Sequence, residues 1–157
     1  MTVLEIFMTL EASYVGDAIR NSLWLFPVIE AFHLVGFAFL GGSVLIVDLR
    51  LVGLCLQKRT IADVFRSMSL LTRLSLVLIF ATGIPLALSE MIKLYYNYSF
   101  WVKMSALALA LIFTFAIRNP LARKDNLPQV GAIFVGLISF SLWFTVAAAG
   151  RWIGFSS

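Results

Sequence analysis

SLWLFPVIEAFHLVGFAFLGGSVLIV, from Ser22 to Val47, contains only two titratable side chains, Glu30 and His33. The run exceeds the roughly 20 apolar residues that a helix, rising about 1.5 Å per residue, needs to cross the hydrocarbon core of a bilayer. Three more stretches have the same character: Leu70 to Met91, with Arg73 and Glu90 near its ends; Phe100 to Ile117, with Lys103 placed to snorkel; and Val130 to Gly150, which has no charge. Backbone polar groups in lipid must be satisfied within their own segment, so each span is read as a helix. The expected fold is all-α: one integral membrane domain over residues 1–157, a four-helix bundle with spans at about 22–47, 70–91, 100–117 and 130–150.

Composition agrees with this reading. Of 157 residues, 61% are hydrophobic and 13% charged, against about half and a quarter in soluble domains. The net charge of +4 is spread between the apolar runs and not gathered into a patch, so no nucleic-acid partner is expected. A single cysteine, Cys55, excludes an internal disulfide. The first ten residues carry Glu5 and no basic region, so they are expected to stay on the chain and not to act as a cleaved signal.

Arginine and lysine set the orientation. Arg50, Lys58, Arg59, Arg66, Arg73, Arg118, Arg123 and Lys124 fall at one end of the spans, and Arg20, Lys93, Lys103 and Arg151 at the other. The positive-inside tendency puts both termini and the Tyr95-Tyr96-Asn97-Tyr98 loop on the periplasmic side of a bacterial inner membrane. Trp24, Trp101, Trp143 and Trp152 fall near that outer boundary, as an aromatic belt would.

Val3, Phe7, Leu10, Tyr14 and Ala18 recur at helical spacing, which predicts an amphipathic helix on the outer interface. In the inner loop Thr60 is placed to cap a short helix with Ile61, Val64, Phe65 and Met68 on one face. Gly83-Ile84-Pro85 should kink the second span, and the stretch from Asn119-Pro120 to Leu127-Pro128 should turn the chain into the fourth. Gly36, Gly41, Gly42, Ala106, Ala110, Gly131, Gly136 and Ser139 are small enough for close helix approach.

Ionisable groups inside a membrane are costly and point to function. Glu30 and His33, three residues apart, share a helix face, and His33 lies about 13 Å along the helix from Trp24. At matching depth stand Thr82, Gly83, Pro85, Ala110 and Ser141, with Glu90 and Trp143 slightly nearer the surface. Together they outline a polar pocket facing outward. His33 is the candidate metal or haem ligand there, with Glu30 orienting its ring and Glu90 adding a second acid. A Glu-x-x-His di-metal half-site and a proton relay through the same residues are alternatives, as is a plain Glu30–His33 hydrogen bond that holds the bundle together. At the inner boundary Asp48, beside Arg50, is expected to pair with Arg73 as a structural lock between the first two spans. The tyrosine cluster with Lys93 and Lys103 reads as an interfacial anchor, or as a quinone or partner surface. The chain contains no phosphate loop, nucleophile triad or zinc signature, so it gives no reason to expect hydrolysis or nucleotide chemistry.

The stretch from Ser22 to Gly36, followed by Gly41-Gly42-Ser43 and Val47-Asp48-Leu49-Arg50-Leu51-Val52-Gly53-Leu54, resembles a family of small, uncharacterised bacterial inner-membrane proteins. The likeness is carried by the first span and, beyond it, by hydropathy. It implies the membrane topology and no substrate. A histidine one turn before a glycine also resembles membrane b-type cytochromes and copper-resistance membrane proteins, which implies haem b or metal at His33. The resulting expectation is a small subunit supporting redox or cofactor chemistry at the periplasmic face. The alternative is a non-catalytic assembly or stabilising subunit of a homo-oligomer or a larger membrane complex, and a transporter ranks behind both.

Overall fold

The computed structural model describes residues 2–124 and 127–155. Among these residues there are helices and no strands. Two short helices, α1 (Val3–Glu11) and α2 (Tyr14–Arg20), precede the first span, α3 (Leu25–Val52). The chain continues through α4 (Ile61–Ser89), α5 (Met91–Tyr96), α6 (Tyr98–Phe113), a π-helical turn (Thr114–Arg118), α7 (Asn119–Ala122) and α8 (Gln129–Ile153). The four segments Leu25–Val52, Ile61–Ser89, Tyr98–Ala122 and Gln129–Ile153 are each long and apolar enough to cross a bilayer. The protein is a multi-pass membrane helical bundle.

Local chemistry explains where these helices start and stop. Thr2 accepts from the Glu5 amide while Glu5 returns a bond to the Thr2 amide, a capping box that starts α1. The expected single N-terminal helix is broken at Ala12 and Ser13, because the Ser13 hydroxyl accepts from the Gly16 amide and starts α2 afresh. Gly53, at φ +87°, ends α3 in the left-handed conformation that only glycine takes cheaply, and the Leu54 amide returns to the Leu49 carbonyl. Thr60 caps as expected, accepting from the Asp63 amide at 3.0 Å. The helix it opens is not a separate surface element. It runs on without a break into the second span and continues past Pro85 to Ser89. Residues 125 and 126 of the expected turn lie outside the described residues.

In the bundle α3 packs along α4 and α8, and α8 packs along α6, whereas α4 and α6 make no extended contact. One core cluster joins Leu40, Val44, Leu76, Ile79, Ala106, Ala110, Trp143 and Val146. Trp143 is therefore a core residue. Its indole N–H donates to the Thr114 hydroxyl at 3.0 Å, and it does not belong to the exposed belt that includes Trp24 and Trp152. A second cluster of Val47, Leu51, Val64 and Ala132 closes the opposite end.

Glycine packing divides the expected contacts into two groups. A Cβ on Gly36 would meet Ile79 at 3.1 Å, and one on Gly136 would meet the Asp48 carbonyl oxygen at 3.0 Å, so these two permit close approach. Gly41, Gly42 and Gly131 face open space, with nothing among the described residues within 4 Å of an added Cβ.

Candidate functional site

Two polar centres sit inside the bundle. The first lines a cavity of about 430 Å³ in the gap where α4 and α6 stand apart. Its walls are apolar, from Phe37, Leu40, Ile79, Phe80, Leu107 and Val146 among others, and its polar groups are Glu30, His33, Glu90 and Lys103. A largely apolar hollow with a few convergent polar groups is the usual form of a small-molecule site. The structure thus brings Glu30, His33 and Glu90 to one cavity, with Gly83, Met91 and Met104 on its wall. Ala110 lies in the neighbouring core cluster, and Ser141 faces outward, its hydroxyl returned to the Leu137 carbonyl.

His33 is held by α4 and not by Glu30. Its Nδ1 lies 2.9 Å from the Thr82 hydroxyl oxygen, which is 2.7 Å from the Leu78 carbonyl. A hydroxyl has one proton. With that proton given to Leu78, Thr82 can only accept from His33, so the neutral ring carries its hydrogen on Nδ1 and keeps a lone pair on Nε2. Among the described residues no buried side-chain nitrogen or oxygen lacks a partner. The ring lines the cavity and is also hydrogen-bonded to the Ile79 backbone. The ring also lies against Gly83, where an added Cβ would sit 2.9 Å from Cε1, and edge-on to Phe37 at 5.6 Å between centroids. The expected Glu30–His33 hydrogen bond is absent: Glu30 is exposed and makes no hydrogen bond or ion pair among the described residues. A glutamate one helical turn away reaches toward the cavity mouth, whereas Thr82 faces the ring directly across the helix interface.

Lys103 does not snorkel free of the bundle. Its aliphatic stem packs against Gly150, and its ammonium lies over the Phe37 ring at 5.6 Å from the centroid. It forms no ion pair among the described residues. Glu90 ends α4 and stands 3.7 Å from the Lys93 ammonium, a half-exposed pair of small energetic weight. No three of His, Cys, Asp and Glu among the described residues converge as metal ligands.

The N-terminal helices dock on the same end of the bundle, α1 against α5 and α2 against α4. Glu11 accepts from the Ile92 amide at 2.6 Å and from Arg20 at 2.9 Å, which ties α1 and α2 to the start of α5. Phe7 meets Tyr95 edge-on at 5.3 Å, and Tyr95 meets Trp101, so part of the tyrosine cluster anchors α1. Tyr96 and Tyr98 remain exposed.

The second centre is the buried pair of Asp48 and Arg118. Arg118 Nε donates to Asp48 Oδ1 at 2.7 Å, Nη2 donates to the Val44 carbonyl at 3.1 Å, and the Ser139 hydroxyl donates to Asp48 Oδ2 at 2.9 Å. This corrects the expected Asp48–Arg73 lock. Arg73 is exposed and turned along its own helix, Nε donating to the Ser69 carbonyl, while Arg50 donates to the Arg59 carbonyl. The physical reason lies in α6. Ala106, Ala110, Thr114 and Arg118 are all buried at intervals of four, and such a stripe drifts about 40° per step around a 3.6-residue helix. The π-turn from Thr114 to Arg118 takes up the surplus residue and keeps Arg118 aimed at α3 and α8. That four-residue rhythm was visible in the sequence and was the signal for a buried Arg118.

A family model described as "Family of unknown function (DUF6644)" matches residues 6–156. No curated protein and no solved structure matches the chain. The likenesses to b-type cytochromes and copper-resistance proteins find no support in these comparisons.

Proposed function

Since the chain belongs to this family of unknown function, whose model covers nearly all of it, we propose a role from the cavity's chemistry: a small inner-membrane subunit that holds a membrane-soluble redox cofactor near its periplasmic face. The observation that carries this reading is the ring of His33, held 2.9 Å from the Thr82 hydroxyl on the wall of an apolar hollow. Proteins prepare an imidazole to ligate by fixing its ring through a hydrogen bond. The gap between α4 and α6 gives a lipid-borne molecule a way in.

Haem b is the leading candidate. Since no three of His, Cys, Asp and Glu converge among the described residues, a metal carried in its own macrocycle fits the cavity better than a bare ion, and bound there it would supply one-electron chemistry. His33 would hold its iron, with the Met91 and Met104 thioethers, also on the wall, as the further donors available to a chain with one histidine. Lys103 would take an anionic edge of the ligand. Glu30 and Glu90 would turn such an edge away from their side of the mouth and so set the ligand's orientation. Both termini are placed on the periplasmic side because, with the buried Arg118 set aside, Arg50, Lys58, Arg59, Arg66, Arg73, Arg123 and Lys124 still outnumber Arg20, Lys93, Lys103 and Arg151.

The test is the visible spectrum and metal content of the purified protein, as isolated and after titration with haem, beside His33→Ala. A Soret band that is present in the wild type and lost on substitution supports the reading. A wild type that stays colourless after titration overturns it.

A second reading, an assembly or stabilising subunit in a homo-oligomer or larger complex, draws on Gly41 and Gly42, which face open space on α3 and leave room for another helix. Mass measurement in detergent on Gly41→Leu checks it: a shift from oligomer to monomer supports assembly, and a monomeric wild type removes self-association.

A further inference from the structure

At the end of the bundle away from the cavity, a pocket of about 80 Å³ lies between the first turns of α4 and the junction of the π-turn with α7. Three arginines line it, Arg73, Arg118 and Arg123, together with Ser69, Thr72 and Asn119, and no carboxylate does. Asp48 sits behind Arg118 with both oxygens already taken, by Arg118 Nε and by Ser139. Arg118 is thus neutralised from within and forms a fixed floor. The other two guanidiniums have no ion-pair partner among the described residues.

Both rim arginines are held in place without being used up. Arg73 gives Nε to the Ser69 carbonyl at 3.2 Å, which orients the group and leaves its terminal nitrogens uncommitted among the described residues. Arg123 has its guanidinium carbon over the Phe65 ring, 5.5 Å from the centroid, and its N–H groups make no hydrogen bond to a described residue. Planar forks of this kind match the paired oxygens of an oxyanion, and holding them in advance lowers the entropy lost on binding. A water occupies at least about 10–15 Å³ of such space, so the hollow holds several waters or one tetrahedral oxyanion group.

We propose that this pocket binds a phosphate group, Arg73 and Arg123 gripping its oxygens from the rim. A phospholipid headgroup and a soluble phosphate compound share that chemistry. The pocket's position at the end of the spans makes either source reachable. The inference does not depend on the cofactor cavity.

The full chain in nanodiscs of phosphatidylcholine alone is titrated with inorganic phosphate, and the chain in nonionic detergent is titrated with dispersed phosphatidylglycerol. Arg73→Gln with Arg123→Gln is compared with Lys58→Gln with Arg66→Gln, which removes the same charge from the same end outside the pocket. All four side chains are exposed, so both variants should fold, and circular dichroism checks that they do. Saturable binding of at least one probe is expected, weakened about tenfold or more by the pocket variant and less than about threefold by the control. Binding of phosphatidylglycerol alone identifies a lipid source, and binding of inorganic phosphate a soluble one. The proposal is overturned if neither probe binds saturably, or if the two double variants weaken binding equally, which would make the effect one of general surface charge.

Discussion

Replacing Arg118 with leucine tests the buried pair. The side chains of Arg118 and Asp48 are 1% and 2% exposed, so neither charge is relieved by water. Without Arg118, Asp48 keeps one donor, the Ser139 hydroxyl, for a carboxylate that stays buried. Breaking such a pair from one side costs about 3–5 kcal/mol. Each kcal/mol moves the midpoint of a chain this long by about 2–4 °C, so Arg118→Leu should melt about 6–20 °C below the wild type. Replacing Asp48 and Arg118 together by leucine leaves no stranded charge and should recover at least half of that loss. Thermal unfolding in one detergent, followed by circular dichroism and tryptophan fluorescence, measures all three proteins. An Arg118→Leu midpoint within about 2 °C of the wild type would refute the reasoning. So would a double variant less stable than the sum of its parts.

Arg73→Leu, at the position first expected to hold Asp48, should change stability by no more than about 0.5 kcal/mol in the same assay. Gly136→Ala brings a Cβ to 3.0 Å from the Asp48 carbonyl oxygen and 2.9 Å from Val52 Cγ2, so a loss of about 1–3 kcal/mol is expected; Gly131→Ala faces open space and should be neutral or gain up to about 1 kcal/mol from helix propensity. Melting curves of the two glycine variants, run side by side, check the contrast. Gly83→Ala should push the His33 ring from its seat, and Thr82→Val should release its tautomer. Each is expected to lower haem affinity in the spectroscopic titration while circular dichroism stays unchanged, and unaltered affinity in both would separate the ring's locking from ligand binding.

Much of the cavity was legible before any coordinates. Glu30 and His33 share a face because they are three residues apart, and counting rise per residue put Thr82 and Gly83 at their depth and Glu90 slightly nearer the surface. Depth does not give azimuth. Ser141 lies at a matching depth and points outward, and Trp143, two residues on, turns inward to Thr114. Nor did charge give the partner of Asp48. Arg73, near the end of the second expected span, and Arg118, just past the third, were both counted among the charges that set topology. Lys103 fits a snorkelling residue by position, yet its ammonium rests on Phe37 because α3 and α8 leave it a wall to lie along.

By itself the sequence determined the solvent this chain folds for, the four spans and most of the helix caps. Those follow from quantities summed along the chain: apolar length, backbone satisfaction, and side chains that bond to amides three residues away. Only the tertiary structure decided which polar groups meet. A hydrogen bond such as His33 to Thr82, or an ion pair such as Arg118 to Asp48, depends on the rotation of each helix about its own axis, and one π-turn resets that rotation for all that follows.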